Sequence, residues 1–194
     1  MLTTQPVKKD MHAQLKVGEL FRGRSGQRLA MVLGPCVLTL PSTCRCPYAA
    51  SVFQGTGEEV RLNLDLSLGG ENETIIKELD QQVLRAAEEH AVEWFGKQLS
   101  PEQIEARYLP MCRCREGDMP RLRAKIDTNH VRVWNERKEI EQLPENLFKG
   151  MDVRPRLQLQ TIWFHSNQFG CQVQATDLAI DTSQVVTAEA ECPF

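Results

Sequence analysis

The nine residues VRLNLDLSL, numbers 60–68, alternate strictly between apolar and polar side chains. Successive side chains of a β-strand point to opposite faces of the sheet, so this alternation predicts a strand with one face in the core and one in water. Similar alternation, or short apolar runs, predicts seven further strands. They lie at residues 15–21, 28–33, 36–40, 122–126, 131–134, 157–164 and 171–176.

Turn-forming segments join several of these strands into hairpins. The links are RGRSG at 22–26, DTNH at 127–130 and SNQFG at 166–170. About eight short strands joined in this way favour a small barrel or a sandwich over a parallel α/β sheet.

One helical segment interrupts the strands. Between residues 74 and 97 the apolar positions fall at helical spacing with acidic residues on the opposite face, which predicts one long amphipathic helix. A second, short helix is predicted from a Ser100 cap, followed by Pro101 and by Gln103 three residues after the cap, and runs to about Tyr108. The domain prediction is therefore a β domain over residues 1–180, with a helical insertion at about 70–110 and a flexible tail at 181–194.

Composition excludes several classes of protein. The 194 residues are 41% hydrophobic and 25% charged, which is typical of a folded chain, and the net charge of -3 argues against holding duplex DNA by bulk positive charge. No apolar run is long enough for a spanning helix or, at the N-terminus, for a signal peptide. Together with an odd count of seven cysteines, this predicts thiols in a reducing, intracellular compartment rather than a disulfide framework or a secreted protein.

The charge is strongly segregated along the chain. Residues 1–57 hold seven basic and two acidic side chains, and residues 107–156 hold twelve and eight. The intervening residues 58–106 hold four basic and twelve acidic side chains. We expect the two basic blocks to meet in space and the acidic insertion to face away from the ligand.

Motifs for catalysis are missing from the sequence. It contains no phosphate-binding loop, nucleophile elbow, zinc-protease motif or dinucleotide fingerprint, so we expect no enzyme and no cofactor. Two Cys-x-Cys pairs, Cys44 with Cys46 and Cys112 with Cys114, could supply four thiolates to zinc. Zinc sites normally have two residues between such cysteines, so the main prediction is that no metal binds. The Cys-x-Cys pairs are then interpreted as small thiols that lie on one face of each strand.

Basic and aromatic residues share strand faces in the second basic block. Arg121, Arg123 and Lys125 are spaced two residues apart, so their side chains lie on the same face of a strand. Trp134 likewise comes two residues after Arg132 and shares its face. Cations that contact phosphates and rings that stack on unpaired bases suit single-stranded nucleic acid, although an exposed face of a mixed sheet would look the same. The predicted phosphate contacts are Arg45, Arg113, Arg115, Arg121, Arg123, Lys125, Arg132, Lys149 and Arg154. The predicted stacking residues are Tyr48, Trp134 and Phe53.

The C-terminal residues carry a separate signal. Glu189, Glu191, Pro193 and Phe194 combine acidic side chains with a final aromatic ring, a compact ligand for a basic, apolar pocket on a partner protein. An ordinary frayed terminus is the alternative.

Several segments resemble the single-stranded DNA-binding proteins of large DNA viruses of eukaryotes, which have relatives among phage replication proteins. They are VLTLP at 37–41, CPY at 46–48, LNLDLSL at 62–68, EWFGK at 93–97, YLP at 108–110, residues 157–164 and FGC at 169–171. The resemblance covers about residues 14–180. It implies an OB-fold, that is, a Greek-key barrel with one long and one short helix inserted.

The resemblance also implies a function. Such proteins coat exposed single strands in replication, repair or recombination without sequence choice, and use neither metal nor nucleotide. The expected partners are single-stranded DNA, with RNA left open, and replication proteins that bind the tail; self-association is also left open. The expected location is the nucleus or a viral replication site. Two rivals remain, an adaptor module that binds protein and no DNA, and a metal-dependent nucleic-acid enzyme that uses the cysteine pairs.

Overall fold

The computed structural model describes residues 15–23, 26–34, 36–53, 60–114 and 117–180. The strands are β1 (Lys16–Arg22), β2 (Arg28–Leu33), β3 (Val37–Thr39), β4 (Cys44–Arg45), β5 (Ser51–Phe53), β6 (Arg61–Ser67), β7 (Tyr108–Leu109), β8 (Cys112–Arg113), β9 (Arg121–Asp127), β10 (Arg132–Trp134), β11 (Ile140–Glu141), β12 (Asp152–His165) and β13 (Gln168–Ile180). The helices are α1 (Gly70–Glu89), α2 (Ala91–Phe95) and α3 (Pro101–Glu105). All three helices lie between β6 and β7.

Five of the strands close into a barrel. Their order around it is β4, β6, β9, β13, β12 and back to β4. The contact between β9 and β13 is parallel, and the other four are antiparallel. A closed five-stranded Greek-key barrel is the architecture of the OB-fold, so the prediction of a mainly β, OB-like fold with a helical insertion is confirmed.

The apolar side chains of the alternating stretch 60–68 face the core, as predicted. Leu62, Leu64 and Leu66 of β6 are at most 2% exposed, and their partners on β9 are Ile126, Ala124 and Leu122, which are equally buried. Burying a leucine fully contributes about 1.5–3 kcal/mol, so this inner face anchors the pairing of the two strands. Their polar side chains consequently share the outer face.

The helical insertion differs from the sequence prediction at one point. The predicted single helix over 74–97 is two helices, because His90 leaves the helical conformation with φ −101° and ψ 16°. Ala87 and Trp94 are both buried and lie seven residues apart, so the apolar spacing continues through the break and does not reveal it. The predicted cap of α3 is confirmed, since Ser100 Oγ accepts from Gln103 N at 3.4 Å and Ser100 N donates to Gln103 Oε1 at 3.2 Å.

Aromatic packing fixes the insertion to the barrel. The Trp94 ring is fully buried and lies 5.2 Å from the Phe164 ring and 6.4 Å from the Phe169 ring, centroid to centroid. Asp80 on α1 accepts hydrogen bonds from Tyr108 Oη at 2.5 Å and from Met111 N at 2.8 Å. The insertion is thus a packed layer over one side of the barrel.

The closing hairpin is longer and tighter than predicted. β12 and β13 pair from Val153 opposite Ile180 to His165 opposite Gln168, which leaves a turn of only Ser166 and Asn167. The short strands β4, β5, β7, β8 and β11 were not among the eight predicted, since two or three residues carry no readable alternation. A strand at Cys44 and at Cys112 was part of the alternative to the zinc site, and β4 and β8 begin at these residues. No helix in the described residues has the length and apolar character to cross a membrane.

Candidate nucleic-acid interface

The pairing of β6 with β9 builds a polar outer face. Arg121, Arg123 and Lys125 point outward, since the residues between them are buried. Their partners across β6 are Ser67, Asp65 and Asn63. The three basic residues therefore lie on one face of β9, as their spacing predicts, and that face is the outer one.

Two flanking strands add further arginines to the same face. Arg45 on β4 pairs with Ser67, and Arg113 on β8 pairs with Arg121. Directly paired residues lie on the same side of a sheet, so both side chains join this outer surface. Cys44 and Cys46, on either side of Arg45, are at most 1% exposed, whereas Cys112 is half-buried and Cys114 is exposed. We call this surface the basic face. It comprises Arg45, Tyr48, Arg113, Arg121, Arg123 and Lys125.

Tyr48 places an aromatic ring on the basic face. It lies in the loop after β4 and is 51% exposed. The Arg121 guanidinium lies 5.1 Å from the ring centroid, and Arg121 Nη1 donates to Tyr48 Oη at 3.2 Å. Arg121 is held in turn by Asp118, whose Oδ2 is 2.9 Å from Nη2. The ring and the cation thus form one unit that can stack on a base and contact its phosphate.

Carboxylates alternate with the cations of the basic face. Arg123 forms a two-point ion pair with Asp65, through Nε to Oδ1 at 2.8 Å and Nη2 to Oδ2 at 3.0 Å. Arg45 Nη1 lies 3.1 Å from Asp152 Oδ2. These carboxylates belong to the barrel and its loops, and none of the ion pairs described for the face uses a glutamate of the insertion. The side chains of Arg45 and Arg123 remain about half exposed, so an incoming phosphate can reach them.

Lys125 is a half-buried residue of the face. Burial lowers the pKa of its amine, and the nearby positive charge of Arg61 lowers it further. In contrast, hydrogen bonding to Asp65 raises the pKa of the Arg123 guanidinium. An anion beside Lys125 would favour the charged form of its amine, which burial disfavours.

Three further arginines of the second block, Arg132, Arg154 and Arg156, gather at a different place. Arg132 and Trp134 of β10 run parallel to β13, with Arg132 opposite Asp177. Asp177 accepts from Trp134 Nε1 at 3.0 Å and lies 2.7 Å from Arg132 Nη2. Arg132 also covers the Trp134 ring at 5.5 Å. We call this group the Asp177 cluster; it includes Arg154 and Arg156, which occupy neighbouring outer positions on β12.

The sequence-predicted residues thus divide into two groups. The basic face lies on β4, β8, β9 and the loop after β4, whereas the Asp177 cluster lies on β10, β12 and β13. The two groups are neighbours at one edge, since Asp152 of β12 is opposite Arg45 and Arg154 follows Asp152 by two residues. Lys149 is exposed in the loop before β12, next to Gly150, where an added Cβ atom would lie 3.7 Å from Arg45 Nη2. Phe53 ends β5 opposite Arg61, and its side chain is not described. Arg115 and the tail residues Glu189, Glu191, Pro193 and Phe194 lie outside the described residues.

The four thiols considered for zinc do not converge. Cys44 and Cys46 are separated from Cys112 and Cys114 by strands β6 and β9 in the sheet. A zinc ion binds sulfur at about 2.3 Å. Within the described ranges, no group of three or more Cys, His, Asp or Glu side chains could hold a metal ion. Burial also raises the pKa of Cys44 to about 11 and that of Cys46 to about 12, which keeps both protonated.

Sequence reasoning missed the aspartates of the basic face. Asp65 is visible in the alternating stretch at 60–68 as an outward residue, but its pairing with Arg123 depends on the register between β6 and β9. Asp118 and Asp152 lie in a loop and at a strand start, where the sequence offers no signal for their partners. The predicted surface of cations alone is in fact a surface of cations and carboxylates in contact.

Comparison with known proteins gives a family and a fold. Residues 52–191 match the model of the Family of unknown function (DUF5871), which is more than half of the chain, so the chain belongs to this family. None of the curated proteins matches the sequence.

Two solved structures resemble this fold. The first is gp2.5, a single-stranded DNA-binding protein encoded by bacteriophage T7; the match has a TM-score of 0.51 and 10% identity and covers 76% of this chain and 87% of that one. The second is the single-stranded DNA-binding protein from bacteriophage Enc34 in complex with ssDNA, with a TM-score of 0.49, 16% identity and coverage of 85% and 91%. The likeness to the T7 protein confirms, at the level of the fold, the resemblance to phage-type proteins found in the sequence.

Proposed function

We propose that this member of the DUF5871 family binds single-stranded DNA through its basic face, without sequence choice and without covalent chemistry. The observation that carries the proposal is the strand register, which brings Arg45, Arg113, Arg121, Arg123 and Lys125 onto one outer surface around the exposed ring of Tyr48. Its role is to coat exposed strands during replication, repair or recombination. The tail is proposed as a contact for other replication proteins.

The chemistry of the basic face favours a flexible, unpaired strand. Guanidinium groups bind phosphates, and an exposed tyrosine ring stacks on any base, because every base has a π-face. Both interactions are indifferent to sequence. A duplex hides its base faces and presents a stiff, dense row of phosphates, which the interspersed Asp65, Asp118 and Asp152 would repel.

The position of the face in the fold supports the same ligand. In chain order, β6 and β9 are the second and third strands of the five-stranded barrel. OB-folds bind oligonucleotides on the face of their second and third strands. The T7 protein that shares the fold is itself described as a single-stranded DNA-binding protein. The position in the barrel and the chemistry of the side chains therefore favour one ligand on separate grounds.

The direct test is fluorescence anisotropy with labelled oligo-dT, the matching duplex and oligo-U, at two salt concentrations. We expect binding to oligo-dT that weakens with salt and exceeds binding to the duplex. Each phosphate contact changes log affinity by about 0.7 per decade of salt concentration. Taking 1 M salt as the reference at which these contacts contribute nothing, the double substitution Arg121→Ala with Arg123→Ala should lower log affinity for oligo-dT by about 1.4 at 0.1 M salt, which is about 25-fold.

A matched control separates the basic face from overall charge. Arg85→Ala removes an exposed arginine from α1, where its Nε donates to Gln81 O, and should leave the affinity unchanged. Absence of oligo-dT binding at low salt would refute the proposal and favour the adaptor alternative. Equal reductions of affinity in Arg85→Ala and in a face variant would refute the assignment of the site.

A further inference from the structure

A second outward-facing aromatic ring lies beyond the basic face, on the closing hairpin. Trp163 of β12 alternates with buried Ile162 and Phe164, so its ring is on the outer surface. It pairs with Gly170 of β13. A Cβ atom at Gly170 would stand 2.6 Å from Trp163 Cζ2 and 3.0 Å from Cε2. The ring therefore rests on the bare backbone of Gly170, which fixes its orientation and covers one of its faces.

The first hairpin extends the apolar surface around Trp163. Leu29 of β2 pairs with Trp163, and Phe21 of β1 pairs with Leu29. Met31, two residues farther along β2, pairs with Thr161. Phe21 is 40% exposed and Met31 is 44% exposed. We call Phe21, Leu29, Met31 and Trp163 the Trp163 patch.

A row of amides connects this patch to the basic face. Gln172 pairs with Thr161, and Gln174 pairs with Lys125 of β9. Gln160 joins the two, because its Oε1 accepts from Gln172 Nε2 at 3.1 Å and its Nε2 donates to Gln174 Oε1. Lys125, the amide row and the Trp163 patch thus form one strip across β9, β13, β12, β2 and β1, about 19 Å long at ordinary strand spacing.

We propose that the Trp163 patch is a second base-binding subsite, on which a single strand leaving the basic face stacks an unpaired base against Trp163. The inference rests on the proposed function and extends its footprint. Continuity through the amide row supports an unpaired base as the occupant, because a base offers an apolar face to the ring and hydrogen-bonding edges to the glutamines. A second copy of the chain or another protein would need no such row of amides leading to Lys125.

The experiment measures affinity against oligonucleotide length for dT oligomers from about 4 to 16 nucleotides, the range that one OB-fold spans. The variants are Trp163→Leu, which keeps an apolar side chain on Gly170, and Trp163→Phe, which keeps a ring. We expect Trp163→Leu to match the wild type on the shortest oligomers and to bind the longest about tenfold more weakly, with Trp163→Phe between them. Equal affinity on short oligomers shows that the variant is folded.

Two controls make the outcome specific. Val92→Ala truncates an exposed apolar residue of α2 and should change neither curve. In a Trp134→Phe background only buried Trp94 and Trp163 remain, so oligo-dT should still quench the fluorescence.

The failures of the two proposals are distinct. If the wild type binds no oligo-dT, the proposed function fails. If it binds, but Trp163→Leu follows the wild-type curve at all lengths, the subsite alone is refuted. The subsite is equally refuted if Trp163→Leu abolishes self-association in sedimentation without altering the length dependence, since the patch is then a contact between copies.

Discussion

Replacing Asp65 with asparagine should tighten the binding of single-stranded DNA, although it removes an ion pair. The Asp65 carboxylate holds Arg123 at 2.8 and 3.0 Å, so a phosphate that binds the exposed part of the guanidinium lies close to this carboxylate and shares the cation with it. The side chains of Arg123 and Asp65 are 54% and 22% exposed, so the pair stabilises the fold by at most about 1 kcal/mol.

The gain in binding follows from Coulomb's law. A phosphate on Arg123 would lie about 5 Å from the Asp65 carboxylate, where two unit charges repel by about 1 kcal/mol in surroundings close to water. Removing that repulsion should tighten binding to oligo-dT about fivefold, whereas the urea midpoint should fall slightly. The effect should shrink at high salt, because exposed charges are screened.

Anisotropy titrations of Asp65→Asn, the wild type and Glu88→Gln test this reasoning. Glu88→Gln makes the same change in net charge on α1, away from the face, and should leave affinity unchanged. Weaker binding by Asp65→Asn would mean that the carboxylate orients Arg123 for the ligand rather than competing with it. An equal gain in Glu88→Gln would mean that overall charge alone governs affinity.

Three further substitutions probe the ring, the lysine and the buried carboxylate. Tyr48→Ala should weaken oligo-dT binding about tenfold while Tyr48→Phe stays near the wild type, and equal weakening in the two would refute stacking. Burial and Arg61 lower the pKa of Lys125, so this lysine should lose its charge at a lower pH than an exposed lysine, and the affinity of the wild type should fall before that of Lys125→Arg as the pH is raised; parallel pH profiles would contradict this. Asp80→Ala should lower the free energy of unfolding by about 2–4 kcal/mol, since it leaves buried donors including Tyr108 Oη without an acceptor; urea unfolding by circular dichroism checks this, and an unchanged midpoint would contradict it.

Periodicity in the sequence predicted the parts of the fold that depend on local pattern. Residues 28–33 form β2 as predicted, and the alternation at 60–68 identified both the strand β6 and its buried face. The side-chain period of a strand is two residues, so the outward direction of Arg121, Arg123 and Lys125 could be predicted without knowing their neighbours.

Contacts between strands could not be predicted in this way. The sequence shows that Arg132 and Trp134 share one face of a strand, but it does not show that this strand pairs in parallel with β13. Because of that pairing, both residues lie in the Asp177 cluster and not on the basic face. The sequence likewise shows that Trp163 and Phe164 point to opposite faces without showing which of them is outside. Tertiary pairing decides both questions, because register is set by contacts between segments that are distant in sequence.

The dependence of oligo-dT affinity on salt tests the central claim most directly. If all five cations of the basic face contact phosphates, the slope of log affinity against log salt concentration should approach about −3.5, and it should become shallower by about 1.4 in the variant that lacks both Arg121 and Arg123. A slope near zero in the wild type, or a slope that the double substitution leaves unchanged, would contradict the claim that this face binds single-stranded DNA.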